Sequence, residues 1–470
     1  MNIRELVLDT LLTLEREGDY SHRLVKSVLD KYDYLEARDK AFIKRLTEGT
    51  LERRLELDYY LDFYSSLPVR KMKPLIRCLL RMSVYQMLYM ESVPDSAACN
   101  ESCRLVAKRG FGSLKGFVNG VLRKISGQKD SLPVPDKEKE PVKYLSVRYS
   151  MPEWLVEMWL DEYGRDIAET LLAGLLEVHP VSLRFSTLIS EAERRELCME
   201  MRENGVEMRR HPYLPYLFLT GGYAGNPASL PAFSAGKCTV QDVSSALAVE
   251  AAEIKDGDFV VDVCAAPGGK SILAAEKAGR GKVLARDISE EKKNITEENI
   301  CRMGAGNIEV QIFDGTCTDE ALLEKADVLL LDVPCSGLGV MGKKRDIKYR
   351  VTKENLGALE KLQKQITAAS AGYVKKGGTL LYSTCTIRRE ENEDMVRYIV
   401  RELGFAPVPL DGVLPEGVLA AKERLEEKMR VAGREACPGL TEEESRACIR
   451  LLPGHMESDG FFIARFRRVE

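Results

Sequence analysis

The run Phe259-Val260-Val261-Asp262-Val263-Cys264-Ala265-Ala266-Pro267-Gly268-Gly269-Lys270, continued by Ser271–Ala278 (SILAAEKA), decides the fold of this chain. Its first five residues predict a buried strand, the small residues and proline a tight loop, and the alanine-rich segment a helix. A strand, a small-residue loop and a helix in that order form the opening unit of a doubly wound, largely parallel sheet. Small side chains let the backbone approach a ligand, and the first N–H groups of the helix favour a negative charge there. The loop fits neither G-x-x-x-x-G-K-[ST] nor G-x-G-x-x-G, because Pro267 stands where the tight turn would begin. That disfavours a nucleoside triphosphatase.

Outward from this unit, residues 258–384 repeat a strand-then-helix rhythm. The strand Lys282–Ala285 runs into Arg286-Asp287, an acid placed to hydrogen-bond the ribose hydroxyls of a nucleoside ligand. Ile308–Ile312 ends at Phe313-Asp314, suited to an adenine amino group, and the apolar run Val328–Leu331 stops on Asp332. Acids at the ends of four consecutive strands predict a binding edge, since solvated surface acids need not fall at equivalent topological positions. Beyond Asp332 come Pro334 and Cys335, and after a helical segment at Thr352–Val374 comes Tyr382-Ser383-Thr384-Cys385-Thr386. Two thiols thus follow two strands among small neighbours, and either can be a nucleophile on this pattern. The four histidines, His22, His179, His211 and His455, lie outside these motifs, so a Cys-His hydrolase is poorly supported.

At 470 residues the chain has room for about three domains. Its net charge of -4 announces no bulk affinity for nucleic acid, so any such surface is a local patch. Twelve cysteines occur without a C-x-x-C pair, and Met1–Asp9 lacks the apolar core of a signal peptide. Both point to reduced thiols and a cytoplasmic location. No apolar run reaches the roughly 18 residues of a membrane span.

Residues 1–127 have helical periodicity, as in Ile3–Arg16, Phe42–Leu61 and Leu75–Tyr89. Residues 1–130 hold 23 Lys plus Arg against 18 Asp plus Glu. The basic side chains cluster in Arg53-Arg54, Arg70–Lys73, Lys108-Arg109 and Arg123-Lys124, making this third the part expected to face a polyanion. Residues 128–143, with three prolines and many charges, read as a linker. Residues 144–235 are expected to form a small α/β subdomain, with a helix from Glu153, core-packing Trp154 and Trp159, strands Val181–Phe185 and Tyr216–Thr220, and a helix at Ser190–Asn204. Arg184 and Arg209-Arg210-His211 are candidates for a phosphate backbone there, with a plain surface role as the alternative. The last domain is expected at 236–470.

Several of these stretches carry a resemblance. Arg38–Phe42, Glu48–Arg54, Leu79–Leu88, Asn100-Glu101-Ser102 and Phe117–Arg123 resemble the NusB-like RNA-binding domain. The loop Asp262–Lys270 is similar to that of the RNA 5-methylcytosine methyltransferases, and the likeness extends through Val240–Ser245, Asp332–Gly337, Asp346–Tyr349 and Tyr382–Thr386. This resemblance implies an all-α NusB-like domain plus an α/β Rossmann-like methyltransferase domain with a doubly wound, mostly parallel sheet. It implies S-adenosyl-L-methionine as cofactor, held by Cys264, Ala265, Ala266, Pro267, Gly268, Gly269, Lys270, Asp287, Asp314 and Asp332. It further implies 16S ribosomal RNA as partner and methylation of a cytidine at carbon-5, by a chain expected to be monomeric and to need no metal or membrane.

Cytosine carbon-5 is too weak a nucleophile to take the methyl group unaided, and a thiolate adding at carbon-6 activates it. The related DNA enzymes take their nucleophile from a Pro-Cys motif, which would nominate Cys335. In the RNA enzymes the Thr-Cys motif attacks, which assigns attack to Cys385, product release to Cys335 and contact with the base to Asp332. Lys270 is expected at the cofactor carboxylate or at Asp332, and Cys264 beneath the ligand. Lys343-Lys344-Arg345 and Lys348-Tyr349-Arg350 are suited to gripping RNA phosphates and stacking a splayed base, although Arg345 stands where the family has proline. A noncatalytic RNA-binding factor with a vestigial methyltransferase fold is the alternative, and the intact Asp332, Cys335, Cys385 and loop count against it. The segment Leu410–Cys448 has no assigned role, and a late antiparallel strand pair is expected at Leu451–Gly454 and Asp459–Arg465.

Overall fold

The computed structural model describes residues 2–17, 21–177, 180–221, 227–454 and 458–469, so His179 and His455 lie outside the described residues. The chain forms two compact units, one of residues 1–176 with 343–350 and one of residues 177–342 with 351–470.

The first unit is helical. Ile3–Glu17, Ser21–Lys31, Ala37–Glu52, Arg54–Tyr64, Pro74–Tyr89, Asp95–Lys108 and Lys115–Gly127 pack around one apolar core. Pro74–Tyr89 is its centre: every residue from Cys78 to Met87 is buried, most of them apolar, with Arg81 bonded to Asp58, Ser83 to Leu79 O and Gln86 to Met82 O. Each fully buried Leu or Val there contributes about 1.5–3 kcal/mol. The unit continues past the expected linker into Pro141–Arg148, Glu153–Tyr163 and Arg165–Gly174, because Trp159 and Tyr163 are fully buried and Ser150 Oγ accepts from Leu55 N at 3.0 Å.

The structure bears on two expectations for this unit. Part of its positive charge is neutralised internally: Lys108 and Arg109 pair with Glu5, and Arg109 also with Asp9, while Arg53 pairs with Glu56. Arg70, Lys71, Lys73, Arg123 and Lys124 remain exposed. The stretch Lys343–Arg350, expected to grip RNA, belongs to this unit, with Lys343 and Lys344 exposed but Arg345, Lys348 and Tyr349 turned inward. Arg345 pairs with Glu48 and Glu52, Asp346 accepts from Ser21 Oγ at 2.5 Å, Lys348 Nζ donates to Glu52 O at 2.7 Å and the Tyr349 hydroxyl to Leu51 O at 2.8 Å. Burial lowers the Lys348 amine to about 7. Specific acids and carbonyls on the helix Ala37–Glu52 attract this stretch, and its aromatic ring lies under Arg54 rather than open to a base.

The second unit holds two sheets. The smaller has β1 (Val181–Phe185), β2 (Glu207–Arg210), β3 (Leu217–Gly221) and β4 (Cys238–Val240) in the antiparallel order β2-β3-β1-β4, with the helix Glu191–Glu203 capped by Ser190. Of its candidate phosphate contacts, Arg184 and His211 are buried, whereas Arg209 and Arg210 remain exposed. Arg184 has no exposed surface and pairs with Glu276 at 2.7 Å, while the His211 ring accepts from the Tyr213 and Leu214 N–H groups in a buried turn. Arg210 lies against Pro215 O and Glu191.

The larger sheet contains β5 (Phe259–Asp262), β6 (Lys282–Asp287), β7 (Ile308–Ile312), β8 (Ala326–Asp332), β9 (Val374–Thr384), β10 (Phe405–Pro407), β11 (Cys448–Leu451) and β12 (Phe461–Arg468). The order is β10-β12-β9-β8-β5-β6-β7, with β11 beside β12. β7, β6, β5, β8 and β9 are parallel and β12 is antiparallel to β9; the expected late antiparallel pair is β11 with β12, its first strand at Cys448–Leu451 rather than Leu451–Gly454. Apolar side chains cover both faces of the parallel strands, as helices on both sides require. Leu410–Cys448 contributes to that core through Leu410, Leu414 and Val418, and it carries the helix Glu416–Val431. No helix among the described residues is long and apolar enough to cross a membrane.

Candidate active site

The chain runs from β5 outward to β6 and β7, then returns to β8 on the other side of β5. The carboxyl ends of β5 and β8 therefore border the switch point of the sheet, where two connections diverge and leave a crevice. Asp314, Asp287, Asp262 and Asp332 follow or end β7, β6, β5 and β8, and Cys385 comes just after β9. The order of strands in space lines these groups along one edge.

Each acid has a different environment. Asp262 is buried, accepts from Ser271 Oγ at 2.6 Å, and is pushed up to about 7, by burial first and then by the Asp332 charge. Asp287 is also buried and accepts from the N–H groups of Ala266 and Ile288 and from Lys292 Nζ. Asp314 is exposed and holds a turn through Thr316 N–H and Oγ; the N–H is the main reason its carboxyl lies below the ordinary range. Asp332 accepts from Lys270 Nζ at 2.6 Å and Ser383 Oγ at 2.8 Å. Burial opposes charge on the Lys270 amine, but Asp332 more than offsets it and the amine is held protonated.

The loop is built from local bonds. Ala265 N–H donates to Arg286 O at 2.9 Å and Gly268 N–H to Ala265 O at 2.7 Å, the Ala266-Pro267 peptide is cis, and Asn299 Nδ2 donates to Pro267 O at 3.0 Å. Gly268 has φ of +94°, which L residues rarely adopt, and starts the helix Gly269–Ala278. Cys264 packs on the core beneath the loop, and burial raises its thiol. These features fit S-adenosylmethionine. The buried Asp262 Oδ1 has no hydrogen-bond partner, the helix start offers unpaired N–H groups, and Ile288 beside Asp287 leaves 60% of its surface exposed as an apolar face for a flat base.

Cys335 and Cys385 are both free thiols, with their sulfurs 3.1 Å apart, longer than the ~2.05 Å of a disulfide. Behind them lies a buried polar network that pattern reading does not find. Glu391 accepts from Ser336 N–H at 2.8 Å, Ser336 Oγ at 2.5 Å, Gln363 Nε2 at 2.9 Å and Thr386 Oγ1 at 3.3 Å. Gln363 Nε2 also donates to Pro334 O, and Gly339 N–H to Cys385 O. Asp332, Lys270, Cys335 and Cys385 thus form one cluster, whereas Asp314 stands apart at the outer strand. Glu391 sits in the run Arg388–Glu393, whose charges suggest surface. The signal that marks it is only its closeness in sequence to the second thiol.

Comparison with known proteins agrees with this layout. Residues 249–467 match the family described as 16S rRNA methyltransferase RsmB/F, and residues 1–127 match the NusB family. A Bacillus subtilis (strain 168) protein named probable ribosomal RNA small subunit methyltransferase B is 34% identical over 99% of each chain. The crystal structure of PH0851 is 25% identical, covers 98% of each chain and superposes with a TM-score of 0.77. A methyltransferase homologue from Pyrococcus horikoshii, 25% identical, covers 70% of this chain and 99% of its own with a TM-score of 0.58.

Proposed function

The chain belongs to the 16S rRNA methyltransferase RsmB/F family, and from that premise we propose that it methylates carbon-5 of one cytidine in 16S ribosomal RNA through a cysteine–cytosine adduct. The reaction draws on S-adenosylmethionine, whose sulfonium supplies an electrophilic methyl group. The carrying observation is the pair of thiols 3.1 Å apart beside the Lys270–Asp332 pair at the switch point.

In this reading Cys385, as thiolate, adds to carbon-6 of the cytosine, and the displaced ring electron pair makes carbon-5 nucleophilic until the methyl group takes it up. The Asp332 carboxylate accepts from the amino group of the base and so orients the ring, and Lys270 fixes the carboxylate's orientation. After methyl transfer the proton on carbon-5 leaves to water, the carbon-5–carbon-6 double bond re-forms, and the sulfur–carbon-6 bond breaks with its electron pair returning to Cys385. Cys335 assists this last step. The protein is further proposed to act as a monomer.

The test is transfer of labelled methyl from S-adenosylmethionine to deproteinised 16S RNA, with the labelled nucleotide mapped. Label at a single cytidine, absent with Cys385→Ala, is the expected result. Label no higher than in that control would leave an RNA-binding factor as the better account.

A further inference from the structure

The two thiols are chemically alike, yet their surroundings differ in sign of charge. Cys385 shares its neighbourhood with the Lys270 ammonium, which its own charge helps to hold protonated. Cys335 is joined through Ser336 to Glu391, a carboxylate with no exposed surface. Four neutral donor bonds satisfy Glu391, and among the described residues no cation pairs with it. The same carboxylate grips the residue after each cysteine, Ser336 and Thr386, while Gln363 ties it to Pro334 on the other side of Cys335. One side chain therefore both sets the spacing of the thiols and places a buried negative charge on the Cys335 side.

We propose that Glu391 is the positioning residue that divides the labour between the thiols, holding the proton on Cys335 so that its S–H donates to the sulfur of Cys385. This rests on the covalent methyltransferase reading for its use in catalysis, but the charge asymmetry does not. The titratable groups facing Cys335 are Cys385, Glu391 and Tyr382, and among the described residues the cation of the cluster, Lys270, is held by Asp332. The neighbouring sulfur, then burial, then the buried acid disfavour a thiolate at Cys335, outweighing a backbone hydrogen bond from Gly337 that favours it, and the thiol is raised well above its ordinary value. An S–H hydrogen bond to Cys385 stabilises that sulfur as an anion before attack. It does so again when the bond to carbon-6 breaks and the electron pair returns to sulfur. The proton stays on Cys335 throughout, so no further donor or acceptor is required.

The experiment is alkylation by iodoacetamide across pH, with the two peptides resolved by mass spectrometry, on the full chain. In the unaltered protein Cys385 is expected to react at a pH at least about one unit below Cys335, a tenfold difference in thiolate population. In Glu391→Gln, with the fold verified by circular dichroism, the Cys335 profile is expected to move down by about one unit or more, since a neighbouring charge shifts a thiol by about that much. Glu391→Asp, which keeps the charge, is expected to restore the original order. An unchanged Cys335 profile in a folded Glu391→Gln protein overturns the proposal. Should that variant fail to fold, Cys335 reacting at a lower pH than Cys385 in the unaltered protein overturns it. Absence of methyl transfer to RNA would count against the function and leave this titration result standing.

Discussion

Asp332 and Ser383 are register partners in the parallel ladder of β8 and β9, and the Ser383 hydroxyl donates to the Asp332 carboxylate at 2.8 Å. Cys335 lies three residues beyond the first and Cys385 two beyond the second. Parallel pairing therefore delivers both thiols to the same edge, although fifty residues separate them in the chain.

The roles assigned to the thiols predict opposite phenotypes. Cys385→Ala is expected to form no covalent complex with RNA, and Cys335→Ala to accumulate one that survives a denaturing gel. Turnover with Cys385→Ala is expected to fall by about 10³-fold or more, as for other nucleophile losses, and with Cys335→Ala to stall once the adduct has formed. An adduct with Cys385→Ala and none with Cys335→Ala would reverse the assignment.

Lys270→Met leaves Asp332 without its cation in a partly buried site, with side-chain exposures of 13% and 29% for the pair. A stability loss of about 2–3 kcal/mol is expected, below the roughly 3–5 kcal/mol of fully buried pairs. Methyl transfer is expected to fall about 100-fold, because the carboxylate loses its orientation. Denaturant melts and single-turnover assays measure the two effects, and parental turnover in the variant would remove Asp332 orientation from the mechanism.

Asp262 titrates near 7 in the folded chain against an ordinary 3.8. Between those values the folded state keeps a proton that the unfolded chain has lost, so this group's contribution to stability falls as pH rises through the window. The full cost is present above pH 7. Asp262→Asn removes it, and thermal melts of the ligand-free protein are expected to show a gain at pH 8 and none at pH 4. An equal gain at both would point to a packing effect instead.

Lys348 is the mirror case, lowered from 10.5 to about 7 by burial. The unfolded chain holds a proton between those values that the folded chain has released, so stability rises with pH across that range and the cost is complete below it. Lys348→Met is expected to raise the melting temperature at pH 6 and to have no such effect near pH 10.5. Affinity for ribosomal RNA in a filter-binding assay is expected to stay within about twofold, because the amine is turned to Glu52 O. A tenfold loss would restore the RNA-gripping role to this stretch.

Local pattern is legible wherever one short segment settles its own structure. The strand ends at Asp262, Asp287 and Asp332, the small-residue loop and the β7 span Ile308–Ile312 all follow from apolar runs and turn chemistry. Charged stretches are misread for a common reason. Arg345 and Lys348, Arg184 and Glu391 lie in segments whose composition signals solvent, and each is turned inward by partners distant in sequence: the helix Ala37–Glu52, Glu276, and Ser336 with Gln363. A buried charge is stable only beside such a partner, and no local rule names it.

By itself the sequence determined the fold class, the row of acids at the strand ends and the presence of two thiols after two strands, because strand periodicity and loop chemistry act over a few residues. Only the tertiary structure decided that the thiols meet at 3.1 Å, that Lys270 holds Asp332, and that Glu391 lies on one side of the pair and Lys270 on the other. Those relations depend on strand order and register, which bring distant segments together, and on a dry interior in which a charge some ångströms away changes the protonation of a thiol.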